Sequence, residues 1–207
     1  MSAATAAPPA SAGEAGGEVA PEILGRAKAG DAAAFTEVVR HYDHRLRALA
    51  YRLLGDRAAM DDALQEAYVK AFRALPSFRE DAGLGTWLYA VTYRACVDEQ
   101  RREGRHARWA PGPSSDPAAA GTRRPGAPGA ARGPGADPAA AAVARADLAR
   151  ALATLPVDQR AAVLLVDAEG LDYDTAAGVL GVAPGTIASR LSRARAALRA
   201  ALAEGES

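Results

Sequence analysis

The chain of 207 residues has a single cysteine, Cys96, so it can hold neither an intramolecular disulfide nor a cysteine-based zinc site. Cys96 itself reads as a small buried residue on an apolar helix. Aromatic residues are scarce, at 5%, while alanine is abundant, a balance that favours helices over sheets. No apolar run approaches the roughly 18 residues that cross a membrane. Residues 1–21 carry no basic side chain. They therefore lack the charged start and apolar core of a signal peptide, and the cytoplasm is the expected compartment. The formal net charge is zero, so bulk charge selects no class of partner.

The charge that is present is unevenly placed. Residues 185–199 hold four arginines (190, 193, 195 and 199) and no acid, whereas residues 143–184 hold six acids against three arginines. Such asymmetry points to a local anionic partner.

Hydrophobic periodicity divides the chain. Residues 1–21, small and with three prolines, read as a disordered tail. Helical patterning starts near Glu22. Asp31 can cap a helix whose Phe35, Val38, Val39, Tyr42, Leu46, Leu49 and Leu53 recur at spacings of three and four, ending at Gly55. A second helix spans about 57–75 and stops before Pro76. After a loop, Thr86 can cap a third helix to about Glu103. Residues 105–137 then hold six prolines and six glycines with almost no large apolar residue; such a segment cannot offset its ordering entropy and is expected to be a flexible linker. Helical pattern resumes near Ala139 and runs to Leu155. Three shorter helices follow over about 158–169, 173–180 and 184–203, broken at Gly170 and Gly181. The expected fold is all-α: two small helical domains, 22–104 and 139–203, joined by a Pro/Gly/Ala-rich linker over 105–138.

In the second domain Ala177, Gly181 and Ile187 stand at the spacing of a helix-turn-helix. A small residue lets two helices cross closely, glycine takes the positive φ of the turn, and isoleucine plugs the core between the helices. Unrolling the second helix at about 100° per residue puts Ile187, Leu191, Ala194 and Leu198 on one face. Thr186, Ser189, Arg190 and Arg193 fall on the opposite face, the one a recognition helix turns to the major groove. Arginine bonds guanine in a bidentate manner, and threonine and serine reach bases or phosphates. Arg195 and Arg199 lie to the flank and suit phosphates. A solvated basic face on an ordinary amphipathic helix is the competing reading, and the attached turn weighs against it.

In the first domain the helix over 57–75 buries Met60, Leu64, Tyr68, Ala71 and Leu75. The opposite stripe is Asp62, Gln65, Glu66, Val69 and Arg73, where an apolar Val69 among polar neighbours hints at a protein contact. On the third helix Trp87, Tyr89 and Tyr93 precede Arg94, Arg101 and Arg102. Aromatics beside arginines suit unstacked bases, with rings stacking and arginines holding phosphates; core packing is the alternative, and the stronger one for Trp87. The loop over 78–85 has two glycines and shapes either a pocket or a plain turn.

The run Asp61-Asp62-Ala-Leu-Gln65-Glu66-Ala-Tyr-Val-Lys-Ala-Phe72-Arg73-Ala-Leu75, then Ser77-Phe78-Arg79, Thr86-Trp87-Leu88-Tyr89, Asp98 and Arg101-Arg102, resembles region 2 of sigma-70 family factors of the short extracytoplasmic-function (ECF) subgroup. Leu155-Pro156 with Gln159-Arg160, then Glu169-Gly170-Leu171, Tyr173, Leu180-Gly181, Gly185-Thr186-Ile187, Ser189-Arg190-Leu191 and Arg193-Ala194-Arg195, resembles region 4. The two blocks stand in the family's order with the linker between them.

The resemblance implies that Asp62, Gln65, Glu66, Val69 and Arg73 meet the β′ coiled coil of core RNA polymerase, the β subunit being a further partner. It implies that the loop over 77–87 and the third helix, through Thr86, Trp87, Tyr93, Arg94, Asp98, Arg101 and Arg102, recognise and melt the minus-ten element of promoter DNA, with a flipped base in the loop. Gly185, Thr186, Ser189, Arg190, Arg193 and Arg195 would read the minus-thirty-five element, and the linker would thread toward the RNA exit path. An anti-sigma partner follows from the same resemblance.

The chain also departs from the subgroup's pattern. Arg94 stands where asparagine is common, and Ala176 and Gly178 replace larger residues, the glycine costing its helix about 1 kcal/mol. The linker is longer and richer in proline. Two other readings stay open at this point: a helix-turn-helix regulator that never meets polymerase, and an enzyme. The stripe at 62–73 and the aromatic third helix have no use in a plain regulator. No glycine-rich phosphate loop, Ser/His/Asp set or metal-spaced histidine pair supports an enzyme; His41 and His44 at i, i+3 suit a surface or core role better than a metal. No cofactor is expected.

Overall fold

The computed structural model describes residues 19–79, 83–109 and 138–204, the side chains of 105–109, 138–141 and 204 excepted. Among the described residues there are eight α-helices and no strand: α1 (Pro21–Lys28), α2 (Ala32–Leu54), α3 (Arg57–Ala74), α4 (Leu84–Trp109), α5 (Pro138–Thr154), α6 (Val157–Val163), α7 (Tyr173–Leu180) and α8 (Pro184–Glu204). The expected tail at 1–18 and most of the expected linker, 110–137, lie outside the described residues.

The first domain is built on α2, α3 and α4. Asp31 caps α2, accepting from the backbone N–H of Ala33 and Ala34 at 2.9 and 3.1 Å, and Gly55 closes it in the left-handed region at φ 73°. Phe35, Val38, Tyr42, Leu46, Leu49 and Leu53 are buried, with Val39 at the margin. They meet Leu64 of α3, Leu75 in the turn just after it and Leu88 of α4, each almost wholly removed from water. Burial of that order stabilises by about 1.5–3 kcal/mol per leucine. Pro76 ends α3 through a single 3-10 turn, Leu75–Ser77.

The third long helix differs from expectation at both ends. It starts at Leu84, so Thr86 is an interior residue and not its cap; the N–H of Trp87 donates to the Gly83 carbonyl at 3.1 Å. Two tertiary contacts draw the start back. Leu84 is buried, and Gly85 passes so close to Tyr42 that a Cβ there would sit 3.0 Å from the ring's Cε1. At the other end α4 continues to Trp109, so residues 105–109 extend the helix where a linker is expected.

In the second domain the expected helix over 158–169 is two segments. After α6 the backbone widens into π geometry over Leu164–Ala168, with Glu169 N–H donating to the Leu164 carbonyl. Asp172 caps α7, accepting from Thr175 N–H at 2.8 Å and from the Thr175 hydroxyl at 2.9 Å. Gly181 ends α7 at φ 67°, and its N–H and that of Val182 both donate to the Ala177 carbonyl. Ala177, Ile187, Leu191 and Ala194 are buried and Leu198 packs partly against them, as the unrolled helix predicts.

The two domains do not stand apart. α4 packs against α7, and α2 against α5 and α6, so that one apolar core runs through both.

Candidate polymerase and nucleic-acid interfaces

The α3 stripe is an outward face. Asp62, Gln65 and Arg73 are exposed, and Val69 is 44% exposed, high for a large apolar side chain. Glu66 is different. Its carboxylate lies 2.8 Å from Lys70 Nζ and 2.7 Å from Arg102 Nη1, and Lys70 reaches Asp98 at 3.3 Å. The Lys70 ammonium first, then the Arg102 guanidinium, holds the Glu66 carboxyl below its ordinary range. Three predicted site residues, Glu66, Asp98 and Arg102, are thus brought into one charged seam between α3 and α4. Beneath the stripe, Asp43 accepts from the Tyr68 hydroxyl at 2.8 Å and pairs with Arg47, which reaches Asp61 at 2.7 Å. Periodicity could not reveal this brace, because its members lie far apart in sequence.

On α4, Trp87 is half-buried and leans on Phe78, ring centroids 5.1 Å apart. Thr86 and Tyr93 are half-buried, and Arg94 and Arg101 are exposed. Tyr89 is only 6% exposed, and its hydroxyl donates to the Glu169 carboxylate of the second domain. Burial, then Glu169, raises its phenol pKa. Cys96, fully buried on the same helix, has its thiol pushed up to about 12 by desolvation.

On α8, Gly185 and Arg193 are exposed, and Thr186 and Ser189 are half-buried near the helix start, the Ser189 hydroxyl donating to the Thr186 carbonyl at 2.9 Å. Arg190 is not on an open face. Its side chain is 18% exposed, Nε lies 3.0 Å from an Asp158 oxygen, and Nη1 is buried without a partner. Arg195 grips Asp167 through two nitrogens, with Nε at 3.0 Å, and its pKa is raised mainly by that bond. Two of the six acids before residue 184, Asp158 and Asp167, therefore fold back onto the basic helix. Sequence asymmetry suggested an external anion; Asp158 and Asp167 supply internal ones.

One buried cation has a tertiary role that its place in the sequence does not show. Arg160, 8% exposed, donates Nη1 to the Leu53 carbonyl at 2.6 Å and Nη2 to those of Ala153 and Leu155, both at 2.9 Å. It thereby joins the last turn of α2 to the end of α5. His41 and His44 are exposed, with His41 edge-on to Tyr42. Among the described residues no group of three metal-ligating side chains converges, and no helix is long and apolar enough to cross a membrane.

This arrangement matches known proteins over both domains. Residues 38–106 match the family described as Sigma-70 region 2, and residues 145–198 match Sigma-70, region 4. The chain is 38% identical over 177 residues to the ECF RNA polymerase sigma factor SigM of Mycobacterium tuberculosis, covering 86% of this chain and 81% of that protein. It is 33% identical over 180 residues to the ECF RNA polymerase sigma-E factor of Escherichia coli, covering 85% and 90%. Among solved structures, the sigma factor RpoE in complex with the anti-sigma factor NepR from Bartonella quintana aligns with a TM-score of 0.62 at 28% identity, covering 81% of this chain and 96% of that one. With both regions matched in order and relatives above 30% identity over most of both chains, the chain belongs to the sigma-70 family, in its ECF subgroup.

Proposed function

We propose that this chain is a dissociable promoter-specificity subunit of RNA polymerase, with α3 as its polymerase face and α4 and α8 as its promoter faces. The observation that carries the reading is Val69, exposed at 44% between Gln65 and Arg73 on an otherwise polar stripe. Set within a polar stripe, it offers a protein partner an apolar anchor among hydrogen-bonding groups. The subunit performs no chemistry of its own. It positions polymerase, Arg193 and its neighbours at the start of α8 meeting the minus-thirty-five element, while Trp87, Tyr93, Arg94 and Arg101 meet the minus-ten element. Promoter melting follows from stacking of displaced bases on the α4 rings. A regulator that never meets polymerase would leave the α3 stripe unexplained.

An anti-sigma protein is a further partner, in keeping with the complex of RpoE and NepR. The cytoplasm is the compartment in which such a subunit works. The test is run-off transcription with core polymerase on a genomic promoter library. The wild-type chain directs defined transcripts, and Asp62→Ala with Gln65→Ala loses both transcripts and retention of core polymerase in a pull-down. Unchanged retention by the double variant would sink the polymerase reading.

A further inference from the structure

Helix α1 lies ahead of residues 38–106, the segment that matches region 2. Its eight residues are too few for a helix to persist by itself in water, and tertiary contacts hold it. Ala27 is buried, and Ile23 and Leu24 pack partly against the core. Arg26 ties α1 to the next helix, with Nε 2.9 Å from the Asp31 carboxylate that caps α2. So placed, α1 packs against α2 and against the 3-10 turn Leu75–Ser77, which leads into Phe78. The ammonium of Lys28, the last residue of α1, stands over the Phe78 ring, 5.8 Å from its centre. That ring lies 5.1 Å from the ring of Trp87, tilted by 42°. Phe78 is 7% exposed, while Lys28 and Trp87 are each half-buried. A buried ring flanked by a cation and a second ring has little room to turn.

We propose that α1 belongs to the minus-ten machinery: Lys28 is a positioning residue that acts through Phe78 to set the plane of the Trp87 ring, the platform on which a displaced base stacks. The proposal rests on the reading of α4 as the minus-ten face and adds a support behind it. The backbone beneath Trp87 is fixed separately. Gly85 passes so close to Tyr42 that a Cβ there would sit 3.0 Å from the Tyr42 ring, so Tyr42 seats the start of α4 while Lys28 and Phe78 govern the indole. A ring already held in one plane loses less freedom when a base stacks on it, and a platform of this kind is only as exact as the side chains that support it.

The test uses the full-length chain bound to core polymerase and two fluorescein-labelled single strands of DNA, one of randomised sequence and one abasic. Both carry the same phosphates, so the ratio of their affinities isolates the contribution of the bases. Trp87→Ala is expected to remove most of the preference for the strand with bases. Lys28→Met keeps the length of the side chain and deletes its charge. It is expected to lower that preference roughly two- to fivefold with the abasic affinity unchanged, and Lys28→Arg, which keeps a cation over the ring, restores it. In the free chain, Trp109→Phe leaves Trp87 as the one tryptophan of the sequence; its time-resolved anisotropy is expected to show faster ring motion in Lys28→Met. Equal weakening on both strands would make Lys28 a phosphate contact and overturn the proposal. So would a Lys28→Met variant that melts at a lower temperature but keeps the wild-type preference and ring motion, because Lys28 then serves only the end of α1. In both cases the minus-ten reading of α4 stands. If Trp87→Ala keeps the preference, the stacking role of Trp87 falls, and the positioning role of Lys28 falls with it.

Discussion

Two arginines three residues apart on α8, Arg190 and Arg193, divide the work of a recognition helix by what surrounds them. Arg193 is exposed and meets any anion that approaches, whereas Arg190 is held by Asp158 and shielded from water. A side chain whose rotamer is fixed by an acid is suited to reading a base, because less freedom remains to be lost on contact. In the polymerase-bound form, Arg190→Ala is expected to cost about 1–3 kcal/mol on the preferred minus-thirty-five sequence and to relax preference at one position. Arg193→Ala is expected to weaken all sequences alike and to reduce the salt dependence. Competition binding over a library of single-base variants separates the two; equal losses across the library for Arg190→Ala would make it a phosphate contact instead. Glu66 offers a pH readout at the same scale. Lys70 and Arg102 lower its pKa in the folded chain. Its contribution is therefore fully present above the unfolded carboxyl value and is lost as pH falls through the lower, folded one. The effect is below about 1 kcal/mol for so accessible a cluster. Glu66→Gln should flatten that part of the stability curve between about pH 5 and 3 in urea titrations, while an unchanged slope would leave Glu66 without a stabilising role.

Elements obey local signals where the signal acts on its own stretch of backbone, and escape them where a neighbour decides. Asp31, Gly55 and Gly181 end their helices where the sequence places them, because a carboxylate beside free N–H groups and a residue without Cβ act through their own backbone. Gly181 is the clearest case. At φ 67° an alanine would be strained by about 1–2 kcal/mol, with no side-chain clash to confuse the result, since nothing lies within 4 Å of its Cβ position. Gly181→Ala is expected to lower the melting temperature of the second domain and to weaken duplex binding by misplacing α8 against α7. An unaltered melt would show that the turn tolerates another conformation. Thr86 illustrates the opposite. Its side chain is a good cap in isolation, but burial of Leu84 and the tight passage of Gly85 by Tyr42 pull the first turn back three residues. No local pattern encodes the position of Tyr42. The π segment over Leu164–Ala168 likewise has no local signal: adjacent buried residues such as Leu164 and Leu165 also occur in the regular turn of α6 before it.

At the scale of the whole molecule, the two domains and their helices were legible, and so was the α3 stripe; their mutual packing was not. Tyr89 to Glu169 spans 80 residues and Arg160 to Leu53 spans 107, and each side chain has a satisfactory reading within its own domain. Only their joint placement shows how the domains pack. Arg160 gives the sharpest test, because its guanidinium serves the carbonyls of Leu53, Ala153 and Leu155 at once. A lysine ammonium is a compact point donor on a flexible stem and cannot reproduce that planar fork. With one core continuous through both domains, the wild-type chain is expected to unfold in a single calorimetric transition. Arg160→Lys, losing charge-assisted bonds worth about 1–3 kcal/mol in sum, should uncouple the halves and split the transition in two, the second domain melting first. The Ala153 and Leu155 carbonyls belong to that domain, so its own stability falls as well, whereas the first domain loses only a cap on α2. A single transition at an unchanged temperature would mean that the apolar contacts alone hold the domains together and that Arg160 merely fills the seam.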